Sequence, residues 1–241
     1  MEFLILCFLI FGMSCAAKLP SYITPCHQSD PRLSECILRA MEDVRPHLKG
    51  GIPEFQLPSM NPLILPQATL DTGANFKATF KNIEVYYIDE FIFRRVNMDL
   101  KNNFVDMVLG FSRLRIKSIY NIQGRLLVLQ LNGNGPADGN FTNAEVSVTM
   151  RGPRLTKNGK QYFNFNQNKL DLKFGQSSMR FDNLFQNNEE LNMQTNRAIN
   201  ENIDSIIEEL RPVLTEVIGK FIFGLIGKIF DKFSVEELFP Q

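Results

Sequence analysis

The chain has no tryptophan, only two histidines and no cysteine beyond Cys36. Neither sign of charge is in excess: 26 Lys and Arg face 26 Asp and Glu, so the formal net charge is zero. That balance argues against nucleic acid as a partner, since its binders carry a basic surplus. His27 and His47 fit no usual zinc-ligand spacing. There is no Gly-x-Ser-x-Gly, no His-Glu-x-x-His and no P-loop. The run "NGNGPADGN" (132–140) is glycine-rich but has no helix behind it, so it reads as a loop. Its Asp and Asn spacing does not match a calcium loop. The acid pairs Glu189-Glu190 and Glu208-Glu209 read as solvated helix surface. The expectation is a protein that is not an enzyme and needs neither cofactor nor metal.

What is present is apolar. Of 241 residues, 44% are hydrophobic and 21 are phenylalanine, enough to fill a core or to line an apolar pocket. The N-terminal "FLILCFLIFGMSCAA" has signal-peptide length and ends in small residues, although its n-region holds Glu2 and no Lys or Arg. Cleavage after Ala16 or Ala17 is expected, giving a leader over 1–17 and one mature domain over 18–241, secreted to the extracellular space. A retained anchor is the alternative, but the run is short for a bilayer. Cleavage removes Cys7 and Cys15 and leaves Cys26 and Cys36, which should pair in an oxidising compartment. Asn140-Phe141-Thr142 is the one N-glycosylation sequon, expected on the surface at Asn140.

Periodicity divides the mature chain into three. Asp30-Pro31 looks like a helix start, and Leu33, Cys36, Ile37, Ala40, Met41 and Val44 recur at helical spacing up to Lys49-Gly50-Gly51. Residues 51–66 carry four prolines and read as an extended connector. From 74 to about 181 the period is two. Phe76, Ala78 and Phe80 alternate with polar residues, and Ile83 and Val85 resume after a slip at Asn82 that suggests a bulge. Similar runs cover 95–100, 105–111, 113–117, 145–150, 162–165 and 170–173, with Asn158-Gly159 as a turn, so the sheet is antiparallel. "GRLLVLQL" (124–131) is apolar on both faces and reads as a strand covered from each side. Residues 189–230 return to helical period as one stripe from Ile199 to Ile229, roughly 60 Å long, with a kink expected at Pro212. The fold class is thus α+β: a long curved antiparallel β-sheet wrapped around a long C-terminal α-helix, as an elongated roll.

Several stretches taken together carry a family resemblance. They are the early pair Cys26 and Cys36, "GIPEFQLPSMNPLILP" (51–66), "NFKATFKNIEVY" (75–86), "GRLLVLQLNGNG" (124–135), "MRFDNLFQNNEELNMQTNRAINENIDSIIEELRP" (179–212) and "ELFP" (237–240). In order and spacing the chain resembles the insect takeout / juvenile hormone-binding protein family. The resemblance implies a secreted carrier of hydrophobic small molecules with a tubular lipid-binding fold of the super-roll type and an internal apolar tunnel. The hormone-binding branch carries a second disulfide further along, and no cysteine follows Cys36 here. The likeness is therefore closer to the takeout branch, whose members are associated with feeding, circadian output and chemosensation.

Strand parity and the helix stripe single out the residues expected to line the tunnel: Phe80, Val85, Met98, Met107, Leu109, Leu114, Ile116, Val148, Phe163, Phe165, Phe221 and Leu225. The expected partner is one hydrophobic small molecule: a terpenoid hormone, a fatty-acid-like lipid or a semiochemical. A monomer without stable membrane insertion is expected, and any receptor is unknown. The stretch "IGKFIFGLIGKIFDKF" (218–233) places its apolar residues over roughly 200° of the helical wheel, wider than a helix on one sheet face needs. It reads as the closing wall of the tunnel. The alternative is a membrane-surface lipid-transfer or membrane-active protein, with this segment as an interfacial helix.

Overall fold

The computed structural model describes residues 19–73, 75–185 and 188–241. The expected leader, with Cys7 and Cys15, lies outside them. The described chain runs through α1 (Leu33–Leu48), nine strands and three further helices. The strands are β1 (Leu63–Asp71), β2 (Phe76–Tyr86), β3 (Ile92–Asp99), β4 (Phe104–Leu126), β5 (Leu129–Arg151), β6 (Arg154–Lys157), β7 (Lys160–Phe163), β8 (Gln167–Lys173) and β9 (Ser177–Phe181). Then come α2 (Glu189–Glu201), α3 (Ile203–Lys232) and α4 (Val235–Leu238).

Seven strands form one antiparallel sheet in the order β1-β2-β4-β5-β8, with β3 on β4 and β9 on β5. The small β6–β7 hairpin turns at Asn158-Gly159, both with positive φ (52° and 77°), as expected. The frame is the β4–β5 hairpin, 23 residues a side, or about 75 Å of strand. Its register runs without a slip from Phe104↔Arg151 to Leu126↔Leu129. The bulge expected at Asn82 is present: the β2–β4 register shifts between Lys81 and Glu84, and Asn82 has φ 50°.

One transverse line crosses the whole sheet. In β4 the buried inner positions are Val105 and Phe111, then Tyr120 and Ile122, so the alternation skips a residue near Ser112. In β5 it skips at Asn143, opposite Ser112: Leu131 and Ala137 are buried on one side, Ala144, Val146 and Val148 on the other. Asn143 has φ 50°. β8 and β9 keep one register on β5, with Lys173↔Glu145 and Ser177↔Phe141, and are parted only at Phe174–Gln176. On the far side β2 ends at Tyr86↔Arg115 and β3 begins at Ile92↔Gly110. Paired skips in neighbouring strands leave the register intact and keep the apolar face inward on both sides of the line. We call this row, through Ser112, Asn143 and Gly175, the crease.

Helix α3 packs against β1 at one edge of the sheet and against β8 towards the other, so the sheet curls around it. Arg211 on α3 donates to the Leu172 carbonyl of β8 and also pairs with Glu208. The disulfide Cys26–Cys36 fixes the N-terminal arm to α1, with Cα atoms 5.8 Å apart. Gln28 of that arm donates to the Pro240 and Phe239 carbonyls, so the arm and the C-terminal residues close the same end of the roll.

Five local expectations need correction. The first helix starts at Leu33, not at Asp30-Pro31, because the Asp30 carboxylate accepts from the Arg32 amide in a turn before the helix. Residues 51–66 are not all connector: Pro53–Phe55 forms a 3₁₀ turn, and β1 begins at Leu63. Pro66 is tolerated there because β1 is an edge strand. The run 124–131 is not one strand but the hairpin tip: Leu126 pairs with Leu129, and Leu127-Val128 form the turn. The long ladder imposes φ 52° on Leu127, which lacks the usual Gly or Asn chemistry. The run 132–140 is strand, not loop, because β4 covers its whole length. Its glycines serve close packing: a Cβ on Gly133 would lie 2.5 Å from the Leu184 carbonyl oxygen. Finally, the long helix breaks at Asn202, while α3 continues through Pro212. Asn202 ends α2 by donating from its side chain to the Ala198 carbonyl.

Candidate ligand-binding interior

The inner face of the roll is packed at both ends; between them buried strand residues such as Val148 and Leu172 meet half-buried side chains of α3. At the β4–β5 hairpin end, Tyr120 (1% exposed), Leu184, Phe181, Ile199, Ile206 and Leu210 form a closed cluster. At the other end Phe233, Val235, Ile52, Phe163 and Phe239 are buried. Phenylalanines do much of this closing: the Phe163 ring meets Phe230 at 5.3 Å and Phe239 at 6.2 Å, both edge-on.

Between these ends α3 presents apolar side chains from Val213 to Phe230, and every one is half-buried. Leu214, Ile218, Ile222, Phe223, Ile226 and Phe230 pack towards β5 and β8, and Phe221 towards β1 and β2. A helix of this apolarity in a solid core would be buried along its length. Here only Ile206, Ile207, Leu210 and Gly219 are.

The charged side chains of β4 alternate to the outer face. Arg95 pairs with Asp106 at 2.7 Å, and Arg115 donates from Nε to Asp138 at 3.0 Å. The Arg115 hydrogen bond holds the Asp138 carboxyl below the usual carboxylate range. A depression of about 430 Å³ on this outer face is lined by Glu84, Lys117, Asp138, Arg180 and Asp182, three carboxylates beside two cations. Inside, Tyr120 donates to the Asp182 carbonyl at 2.7 Å, and burial, aided by the Asp182 charge, pushes its hydroxyl up to about 12. Among the described residues no group of three or more His, Cys, Asp or Glu could hold a metal ion.

Of the twelve residues expected to line a tunnel, Val85, Val148 and Phe163 are buried. The other nine are half-buried: Phe80, Met98, Met107, Leu109, Leu114, Ile116, Phe165, Phe221 and Leu225. Met98, Met107 and Phe165 gather with Phe230 near the Phe233 end, whereas Phe80, Ile116 and Phe221 meet beside β1. Among the described residues Leu225 packs against none of the buried clusters. The stripe also holds Ile218, Ile222, Phe223 and Ile226, which the same helical spacing could have selected. Ile88, Phe91 and Phe174 reach the inner core from the crease connections, where no strand parity exists to find them. Asn140 is exposed on the outer face of β5, opposite Arg115 and Ser178.

The architecture defines a class: a curved antiparallel sheet rolled around a terminal helix, with its apolar face turned inward. The model of the haemolymph juvenile hormone binding protein family matches residues 4–240, and the chain belongs to that family of hydrophobic-ligand-binding proteins. Its similarity to the circadian clock-controlled protein daywake of Drosophila melanogaster is 21% identity, over 92% of this chain and 88% of that one. Daywake of Drosophila yakuba is 20% identical over 85% of this chain and 83% of its own length. The crystal structure of Epiphyas postvittana Takeout 1 superposes with a TM-score of 0.78 at 21% identity, over 91% of this chain and all of that one. The fold is therefore the takeout fold.

Proposed function

We propose that this chain is a secreted carrier that holds one apolar small molecule inside the roll and performs no covalent chemistry on it. One observation carries the reading: the apolar α3 side chains between Val213 and Phe230 pack towards the sheet yet stay half-buried, as do Met107, Leu109 and Leu114 on β4, between two closed ends. Apolar area left uncovered contributes nothing until something fills the space; a cargo covering it gains about 25 cal/mol per Å². The leader-like N-terminus and the Cys26–Cys36 disulfide favour secretion. The family description makes a terpenoid one candidate cargo, beside fatty-acid-like lipids and semiochemicals. A monomer with a glycan on Asn140 fits the same reading.

The rival is action at a membrane surface through the C-terminal helix. No helix among the described residues is long and apolar enough to cross a membrane. The large apolar side chains that are exposed, among them Val128, Ile64 and Met193, include none from α3. Its apolar stripe is turned to the sheet, which favours the carrier. Purified mature protein, analysed by native mass spectrometry before and after solvent extraction, should lose a lipid-like mass. A chain that releases nothing and takes up no N-phenylnaphthylamine is not a carrier. Flotation with anionic vesicles but no cargo would establish the rival instead.

A further inference from the structure

Two enclosed side-chain oxygens among the described residues lack a hydrogen-bond partner, Ser177 Oγ and Asp89 Oδ1. Both lie on the crease. Asp89 belongs to the 3₁₀ turn Ile88–Glu90, which fills the gap between β2 and β3. Ser177 opens β9, two residues after Gly175. Side chains alternate along a strand, so Ser177 shares a face with Met179 and Phe181. Those two pack into the inner core with α3 residues, which turns the Ser177 hydroxyl inward.

The side chains beside it in its row are apolar. The cross-strand neighbour is Phe141, and the next residue along the same row, on β4, is Leu114. The Phe141 ring lies 5.5 Å from Phe174, which is itself half-buried and packs on the inner core. Neighbouring polar groups are already engaged: the Thr142 amide donates to the Gln176 carbonyl, and the Gly175 amide to the Thr142 carbonyl. An enclosed hydroxyl without a partner destabilises the empty fold, and a hydrogen-bonding oxygen brought in by a cargo relieves that cost.

We propose that Ser177 is the polar anchor of the interior, and that the cargo is an apolar chain carrying a hydrogen-bonding oxygen seated at the crease, not a bare hydrocarbon. This rests on the carrier reading. The crease divides the inner face into two apolar stretches, so the oxygen sits between them with hydrocarbon on either side.

The test measures displacement of N-phenylnaphthylamine by dodecanol and by dodecane, from the wild-type mature chain and from Ser177→Ala and Ser177→Thr. Ser177→Ala should weaken dodecanol about three- to tenfold, as one hydrogen bond does, and leave dodecane unchanged. Ser177→Thr, which keeps a hydroxyl and suits a strand, should restore dodecanol. The alanine variant should melt no lower than wild type, because the hydroxyl it loses is unpaired. Equal loss of both ligands, no loss of either, or a sharply lower melting temperature overturns the anchor while naphthylamine binding still upholds the carrier. A wild-type chain that binds no naphthylamine overturns the carrier reading, and the anchor falls with it.

Discussion

The side-chain amide of Asn196 pairs with both backbone groups of Phe181: Nδ2 donates to the carbonyl at 2.8 Å, and Oδ1 accepts from the amide at 2.8 Å. Asn200 does the same for Met179, at 2.7 and 2.9 Å, and Asn192 for Phe185, at 3.2 and 2.7 Å. An asparagine side chain carries the same amide as a peptide unit, so three of them at spacing four replace a missing strand. Helix α2 buries only Ile199, and these amides join it to the free edge of β9 and the residues that follow. Removing one leaves a strand N–H and C=O unpaired. Asn196→Ala should cost about 1–3 kcal/mol in chemical denaturation and speed hydrogen exchange at the Phe181 amide. Unchanged exchange there would show that the ladder does not hold the edge.

The spacing of Asn192, Asn196 and Asn200 is plain in the sequence, but nothing local marks it as a strand substitute rather than a wet helix face. The strands themselves are legible, because one face of an antiparallel sheet is wet and the other dry. The crease shows in the sequence as the missing step between Phe111 and Leu114, which reads as two strands. The structure makes it one strand, because β5 skips at the same level. The hairpin tip is hidden because Leu127-Val128 are apolar where turns are usually polar. Parity selects the inner face for Leu109 and Val148 alike, yet Val148 is fully enclosed and Leu109 is not. Parity encodes which face a side chain takes, not how closely other elements cover it.

Tyr120 gives the fold an alkaline limit. Its hydroxyl stays protonated up to about 12 in the folded chain, whereas an unfolded tyrosine ionises near 10. Between those values the unfolded chain releases a proton that the folded chain retains. Its contribution to stability is therefore complete below about pH 10 and is lost as pH rises towards about 12. Urea midpoints measured from neutral to strongly alkaline pH should fall more steeply for wild type than for Tyr120→Phe. At neutral pH the variant should be weaker by about 1 kcal/mol, for the lost bond to the Asp182 carbonyl. Parallel pH curves would locate the alkaline loss elsewhere.

Gly224 and Gly227 lie within α3, yet a Cβ on either would meet nothing within 4 Å. Packing does not require them, and a helical glycine is less favourable than alanine by about 1 kcal/mol. The double variant Gly224→Ala/Gly227→Ala should raise stability by roughly 1–2 kcal/mol and the melting temperature with it. A lower melting temperature would mean that neighbouring segments close on this face of α3 more tightly than the structure shows.

Leu109 and Met150 share the inner core, and their alanine variants separate a hollow interior from a solid one. Met150 is 1% exposed and packed on all sides, so Met150→Ala leaves a new cavity and should cost about 2–5 kcal/mol. Leu109 is half-buried, and the carrier reading puts space beside it. Leu109→Ala enlarges an existing void and forfeits fewer contacts, so its cost should fall below about 2 kcal/mol. Leu109→Trp should fold, because its ring can extend into that space, and should take up less N-phenylnaphthylamine. Equal losses at both alanine variants, together with a Leu109→Trp chain that no longer folds, would mean that the interior is filled by its own side chains and has no room for a cargo.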